Sequence, residues 1–232
     1  MNTQIVVGFC NDHNTHCPYR SLSNCIRTSR PCSLCHYMNR DISLLITRVK
    51  GARQSLDVGL ALSPEADAIP YQPYRDAGFH IFFQKGGSES ERIKSILEDS
   101  FGAGYDSVVL LSHSAPNLPL HYLESALQEL RKGAGLVLGP SENAMFYLIG
   151  IEKTLYQRTC IDGVFRFVSF ENLSMRDTTV KIMQDYCNNC SLLPTWYTLR
   201  SIEDLKKLLR DSPRGVGWNA RWTYQFAHGI LD

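Results

Sequence analysis

Apolar runs of strand length alternate with helix-patterned segments through most of the chain, and this alternation constrains the fold more than any other feature. Gln4–Gly8 reads as a short buried strand, and a helix is predicted from about Ser33 to Val49, with Leu44, Leu45 and Val49 at helical spacing. Leu56–Leu62 is the next strand, ended by Ser63-Pro64, and Phe79–Phe83 is a third. Ser88 with Glu91 three residues on forms a capping box. The helix it opens carries Ile93, Ile96, Leu97 and Phe101 on one face, with Gly102 and Gly104 at its end. Val108–Leu111 is a continuous apolar run, the signature of a central parallel strand. The helix after Pro119 places Leu120, Leu123, Leu127 and Leu130 on one side, and Leu136–Leu138 is a further strand. A helix at Leu173–Tyr186, a strand at Ser191–Leu193 and a helix at Ser201–Leu209, capped by Ser201 and Asp204, complete the reading. The expected fold class is α/β: a mostly parallel central sheet with helices on both faces.

Ligands of such sheets bind at the carboxyl ends of the strands, so the loops after Gly8, Gln84, Leu111 and Leu138 are the places to look for a site. The expected organisation is one domain over 1–210, with 211–232, which holds Trp218 and Trp222, as an extension packed on it.

The 232 residues carry 24 Lys and Arg against 23 Asp and Glu, a balance that argues against a nucleic-acid binder driven by bulk charge. No apolar run approaches the roughly 18–20 residues needed to span a bilayer. The opening Met1-Asn2-Thr3-Gln4 lacks the basic start of a signal peptide, so a cytoplasmic location is expected. With no export signal, the eight cysteines read as free thiols or metal ligands rather than a disulfide framework. Cys32-x-x-Cys35 and Cys187-x-x-Cys190 have the form of two halves of a four-thiolate zinc site, with His36 a possible substitute ligand; packed thiols fit the same pattern. No nucleophile elbow supports a Ser-His-Asp triad.

Four stretches, in order, carry a resemblance. They are Gln84-Lys-Gly-Gly-Ser-Glu-Ser-Glu-Arg92, Val108-Val-Leu-Leu-Ser-His-Ser-Ala-Pro116, Gly139-Pro-Ser-Glu-Asn-Ala-Met-Phe-Tyr-Leu-Ile-Gly150 and Leu193-Pro-Thr-Trp-Tyr-Thr-Leu-Arg-Ser-Ile-Glu-Asp-Leu205. Together they resemble a bacterial family of GT-A-like nucleotide-diphospho-sugar transferases, often associated with radical-SAM and selenium gene clusters. The resemblance implies a GT-A-like fold and a site that binds a nucleotide or nucleotide sugar. It places the substrate-binding positions at Arg20, Gly86, Gly87, Arg92, His113, Ser114, Asn143, Tyr147, Thr198 and Arg200.

The departures from the family pattern are systematic. Acids are expected where this chain has Ser114, Asn143, Thr198 and Arg200, and two glycines where it has Ala144 and Met145. Carboxylates in such a site hold a divalent metal against the donor diphosphate, and neutral hydroxyls hold it far more weakly. No metal or other cofactor is therefore expected. Three readings stay open: a degenerate member that acts as a binding or partner subunit, a metal-independent transferase in which Arg20, Arg200 or His113 neutralises phosphate, and a zinc-stabilised interaction module. Capping fully explains Glu91, and Glu91-Arg92 reads equally as lining of the nucleotide pocket; His113 reads first as a partly exposed loop residue, with a base or a phosphate ligand as the alternative.

Overall fold

The computed structural model describes residues 3–10, 32–53, 55–63, 71–142, 146–161, 189–211 and 219–231. Seven strands, β1 (Gln4–Phe9), β2 (Asp57–Leu62), β3 (His80–Phe83), β4 (Ser107–Ser112), β5 (Leu136–Pro140), β6 (Phe146–Glu152) and β7 (Cys190–Leu192), form one sheet in the order β3-β2-β1-β4-β6-β5-β7. The helices are α1 (Cys32–Ala52), α2 (Gln72–Asp76), α3 (Glu89–Gly102), α4 (Leu120–Arg131), α5 (Lys153–Ile161), α6 (Ile202–Asp211) and α7 (Arg221–Leu231). The expected α/β class and the central place of the 108–111 run both hold: β4 is the fourth of the seven strands and every residue of it is buried. The predicted helix at 173–186 lies outside the described residues.

Successive residues of a strand face opposite sides of the sheet, and the two cores divide accordingly. Ile5, Val7, Phe9, Val108 and Leu110 pack with Ile93, Ile96, Leu97 and Phe101 of α3 on one side. Val6, Val109 and Leu111 pack with Ile42, Leu45, Ile46 and Val49 of α1 and with Leu123, Ala126, Leu127 and Leu130 of α4 on the other. Continuous apolar runs were therefore the right signature, because both faces are covered.

One strand runs against the rest. β6 is antiparallel to both β4 and β5 and lies between them, which alternation alone does not predict. The reason is the connection: the stretch between Pro140 and Phe146 is far shorter than the dozen or so residues a parallel crossover requires.

A third apolar cluster lies beside the sheet. Leu34, Cys35 and Met38 of α1 pack there with Leu205 and Leu208 of α6, Ala227 of α7, and Tyr197 and Leu199 of the segment after β7. Helix α7 is anchored to α1 by a buried carboxylate. Asp41 accepts from Trp222 N (3.2 Å), Thr223 N (2.8 Å) and Thr223 Oγ1 (2.7 Å), so an acid on α1 takes up first-turn donors of α7. The Arg40 guanidinium lies 4.0 Å from the centre of a Trp222 ring.

Burial outweighs those hydrogen bonds and Arg40, and raises the Asp41 carboxyl from 3.8 to about 6. A raised value in the folded state means that folding takes up a proton. The stability linked to Asp41 is therefore fully present below pH 3.8 and is lost as the pH rises through about 6. Denaturant melts of wild type and Asp41→Asn at pH 4 and pH 7 test this. The wild type should lose stability relative to Asp41→Asn over that range, by up to about 3 kcal/mol, and a constant difference would contradict it.

Candidate functional site

The chain steps outward from β1 to β2 and β3, then returns to the other side of β1 for β4. The carboxyl edge near β1 and β4 is therefore where strand order reverses, the usual place for a ligand in an open α/β sheet. Gln84 bolts the first part of that edge together. It is buried, and its Nε2 donates to the carbonyls of Cys10 (2.7 Å) and Ala61 (2.8 Å), joining the ends of β1 and β2 to the loop after β3.

In that loop Gly86 has φ +115°, and a Cβ there would lie 2.5 Å from Glu91 Cβ, so glycine is required sterically. The capping box forms as expected. Glu91 Oε2 accepts from Gly87 N (2.9 Å) and Ser88 N (3.0 Å), and these amide donors hold its carboxyl below the usual range. Arg92 reaches back to the Gly87 carbonyl (3.3 Å). The Gly87 amide, at one of the positions that the resemblance assigns to a ligand, thus already serves the start of α3.

A second group gathers at the ends of β4, β5 and β7. The chain after β7 crosses the edge as a strap, residues 193–200. Leu193 N donates to Leu138 O (2.9 Å), Trp196 N to Pro140 O (3.1 Å), and Leu199 N to Ser114 O (2.7 Å), while Glu142 N returns a bond to Trp196 O (2.8 Å). Ser114 and Thr198 come together through these bonds. Their hydroxyls are paired with neighbours, Ser114 with Ser112 (2.7 Å) and Thr198 with Ser141 (3.2 Å). Ser112, His113, Ser114, Ser141 and Thr198 are all at most 1% exposed. His113 N donates to Phe9 O (3.3 Å), tying this group to β1.

Arg200 leaves the strap directly after Leu199, half-buried, with its amide donating to Asp204 Oδ2 (2.9 Å). Tyr147 is fully buried beneath the strap and donates to Pro194 O (2.8 Å); burial raises the pKa of its hydroxyl. Above it Tyr122 stacks on Tyr147, and the Trp196 ring meets Tyr122 edge-on. Arg20 and Asn143 lie outside the described residues. Ser112, Ser141, Gln84 and Asn117, which accepts from Trp196 Nε1 (3.4 Å), were not singled out from the sequence as site residues. Ser112, Ser141 and Gln84 stand at or next to strand ends and Asn117 in a loop, and no pattern in the sequence marks the bonds they make.

Two acids near the strap, Glu142 and Asp204, are engaged elsewhere. Glu142 is paired with Lys207 at 2.7 Å, and Asp204 accepts from Ser201 N (2.8 Å) and Ser201 Oγ (2.9 Å) as the cap of α6. Among the described residues, no three His, Cys, Asp or Glu side chains are grouped to hold a metal ion. Neutral hydroxyls that already bond one another do not fit a divalent cation, which needs anionic oxygens. Of the two Cys pairs, Cys35 is buried in the third cluster and Cys190 is half-buried in β7, while Cys187 is outside the described residues.

The family described as "Uncharacterized protein conserved in bacteria (DUF2064)" matches residues 46–169. No curated protein matches the chain. Among solved structures, a protein of Desulfovibrio desulfuricans G20 assigned as a nucleotide-diphospho-sugar transferase superposes with TM-score 0.76 at 21% identity, covering 99% of both chains. A cytidylyltransferase of Leptospira borgpetersenii gives TM-score 0.54 at 14% identity, covering 90% of this chain and 86% of its own. A CMP:2-keto-3-deoxy-manno-octonic acid synthetase, solved with CTP, gives 0.53 at 11% identity, covering 89% and 96%. At these identities the likeness is one of fold.

The tight approach of Tyr147 to β5 makes a stability prediction. A Cβ on Gly139 would run into the Tyr147 ring, which is buried and tied to Pro194. Gly139→Ala should destabilise the protein by about 1–3 kcal/mol in urea melts, and a neutral effect would show that the ring is free to move.

Proposed function

The chain belongs to the bacterial family DUF2064, and from that premise we propose that it is a degenerate nucleotide-sugar-transferase relative that binds a nucleotide or nucleotide sugar without a divalent metal and acts as a binding or partner subunit. The observation that carries the reading is the state of Ser114 and Thr198. The resemblance puts metal-holding acids at these positions. Here both are buried hydroxyls, bonded to Ser112 and Ser141 and covered by a strap that Leu199 stitches to Ser114. Arg200, at another such position, would repel a cation. Glu142, next to Asn143, and Asp204 are held by Lys207 and by the α6 cap.

The rival reading is a metal-independent transferase in which Arg200, Arg20 or His113 neutralises the donor phosphates. It shares the metal-free nucleotide site and differs in turnover. In both readings residues 1–210 form the binding body and 211–232 a packed extension, in a cytoplasmic protein.

Calorimetric titration with a nucleoside diphosphate and with CTP, with and without Mn²⁺, tests the proposal. Binding should occur without metal and should not tighten when Mn²⁺ is added. Tightening by about tenfold, or about 1.4 kcal/mol, would overturn the metal-free site, and absence of any binding would overturn the nucleotide site itself. Transfer of a sugar from a nucleotide sugar in metal-free buffer would favour the rival.

Ser114→Asp offers a second check. A carboxylate placed at this fully buried position should destabilise the protein by about 3 kcal/mol or more in thermal or urea melts without metal. No loss would show that the edge opens to solvent more readily than the strap allows.

A further inference from the structure

The loop from β4 to α4, residues 113–118, carries His113 and Ser114; its own turns are closed by Ala115 N on Ser112 O (3.3 Å) and Leu118 N on Ala115 O (3.1 Å), and neither turn fixes the outward Leu118 carbonyl. Pro119 stands at the N-cap of α4 and supplies no side-chain hydrogen bond. The loop is also held from outside. Leu199 N donates to Ser114 O and Trp196 Nε1 to Asn117 Oδ1, both from the strap. A third bond comes from the C-terminal segment: Asn219 Nδ2 donates to Leu118 O at 3.1 Å. The other end of the same amide is also fixed, because Asn219 Oδ1 accepts from Arg48 Nη1 of α1 at 2.6 Å.

The orientation of the Asn219 amide is therefore determined by its surroundings. Arg48 can only donate, so it selects the oxygen, and the nitrogen is left facing the Leu118 carbonyl. Two residues further on, α7 begins, with its first turn bound to Asp41. The side chain of Leu199 lies in the cluster that α6 and α7 close, while its backbone holds Ser114. The C-terminal segment thus touches both walls of the carboxyl edge, the β4 loop directly and the strap through packing.

We propose that Asn219 is a positioning residue of the carboxyl-edge site: its amide, oriented by Arg48, sets the far end of the 113–118 loop and so the placement of His113 and Ser114. The functional consequence rests on the nucleotide-binding reading above; the geometry does not.

Asn219→Asp separates this role from the docking of α7. The aspartate keeps an oxygen for Arg48, but it cannot donate to the Leu118 carbonyl. Asn219→Ala removes both bonds. Hydrogen exchange by mass spectrometry on the full chain, together with titration by a nucleoside diphosphate, reads the outcome. In Asn219→Asp, peptides covering 113–123 should exchange about tenfold faster, while 221–231 and the strands β1 and β4 keep wild-type protection. Nucleotide affinity should fall by about threefold or more in the same variant. Asn219→Ala should loosen both 113–123 and 221–231. Unchanged exchange at 113–123 in both variants would overturn the proposal, as would an equal increase across the whole sheet. Faster exchange with unchanged affinity, in a protein that binds nucleotide, would also overturn it by making the bond merely structural. Should the wild type bind no nucleotide, the site reading falls, and the exchange data alone decide whether Asn219 sets the loop.

Discussion

The side-by-side burial of β1 and β4 is the constraint on which the rest of the structure depends. Each is buried at every residue, and they pair in parallel from Gln4↔Ser107 to Phe9↔Ser112. A strand pair with no solvent on either face must be covered twice. Helix α3 does this on one side, and α1 with α4 on the other. Parallel pairing also forbids short returns, so the intervening chain has to leave the sheet and come back through helices or long connections. Irregular backbone is left at the strand ends, and the carboxyl edge is where loops after β4, β5 and β7 meet.

At that edge the sealed side chains include two pairs of hydroxyls. Burying a carboxylate that has no cation beside it costs several kcal/mol, so a site built of acids has to stay open to metal or water. Hydroxyls impose no such demand when they bond one another. Ser112 with Ser114, and Ser141 with Thr198, can be sealed beneath the strap at small net cost. With hydroxyls at these positions, the backbone of Leu199 reaches the Ser114 carbonyl and the strap lies over the end of β4. Tyr147, Tyr122 and Trp196 then fill the space above β5 with rings.

The third cluster gives the C-terminal residues a place in this arrangement. Helix α7 would be a poor candidate for independent stability at its length, and its fixed partners are what hold it. Asp41 supplies acceptors for its first turn, Arg40 packs on Trp222, and Ala227 closes the cluster over Met38 and Leu199. A segment that reads as an extension is thereby coupled to the strap and to the β4 loop.

Periodicity and capping carried most of the fold in the sequence. The apolar run at 108–111 specified a strand buried on both faces, and Ser88 with Glu91, like Ser201 with Asp204, marked helix starts that form as read. These are local effects, set by residues a few positions apart, and they need no knowledge of the whole. The ordered motifs also pointed to the carboxyl edge, and to Ser114 and Thr198 as neighbours there. The direction and place of β6 were less legible, since a continuous apolar run has the same pattern in either orientation; only the short stretch before Phe146 hints at it. The hydroxyl partners Ser112 and Ser141, the bolt formed by Gln84, and the bonds of Asp41 and Asn219 were not legible at all. Several of these contacts join residues about a hundred or more positions apart, as from Asn219 to Leu118 and from Asp41 to Thr223. They exist only once the sheet has brought distant strand ends together, so tertiary closure, and no local preference, decided them.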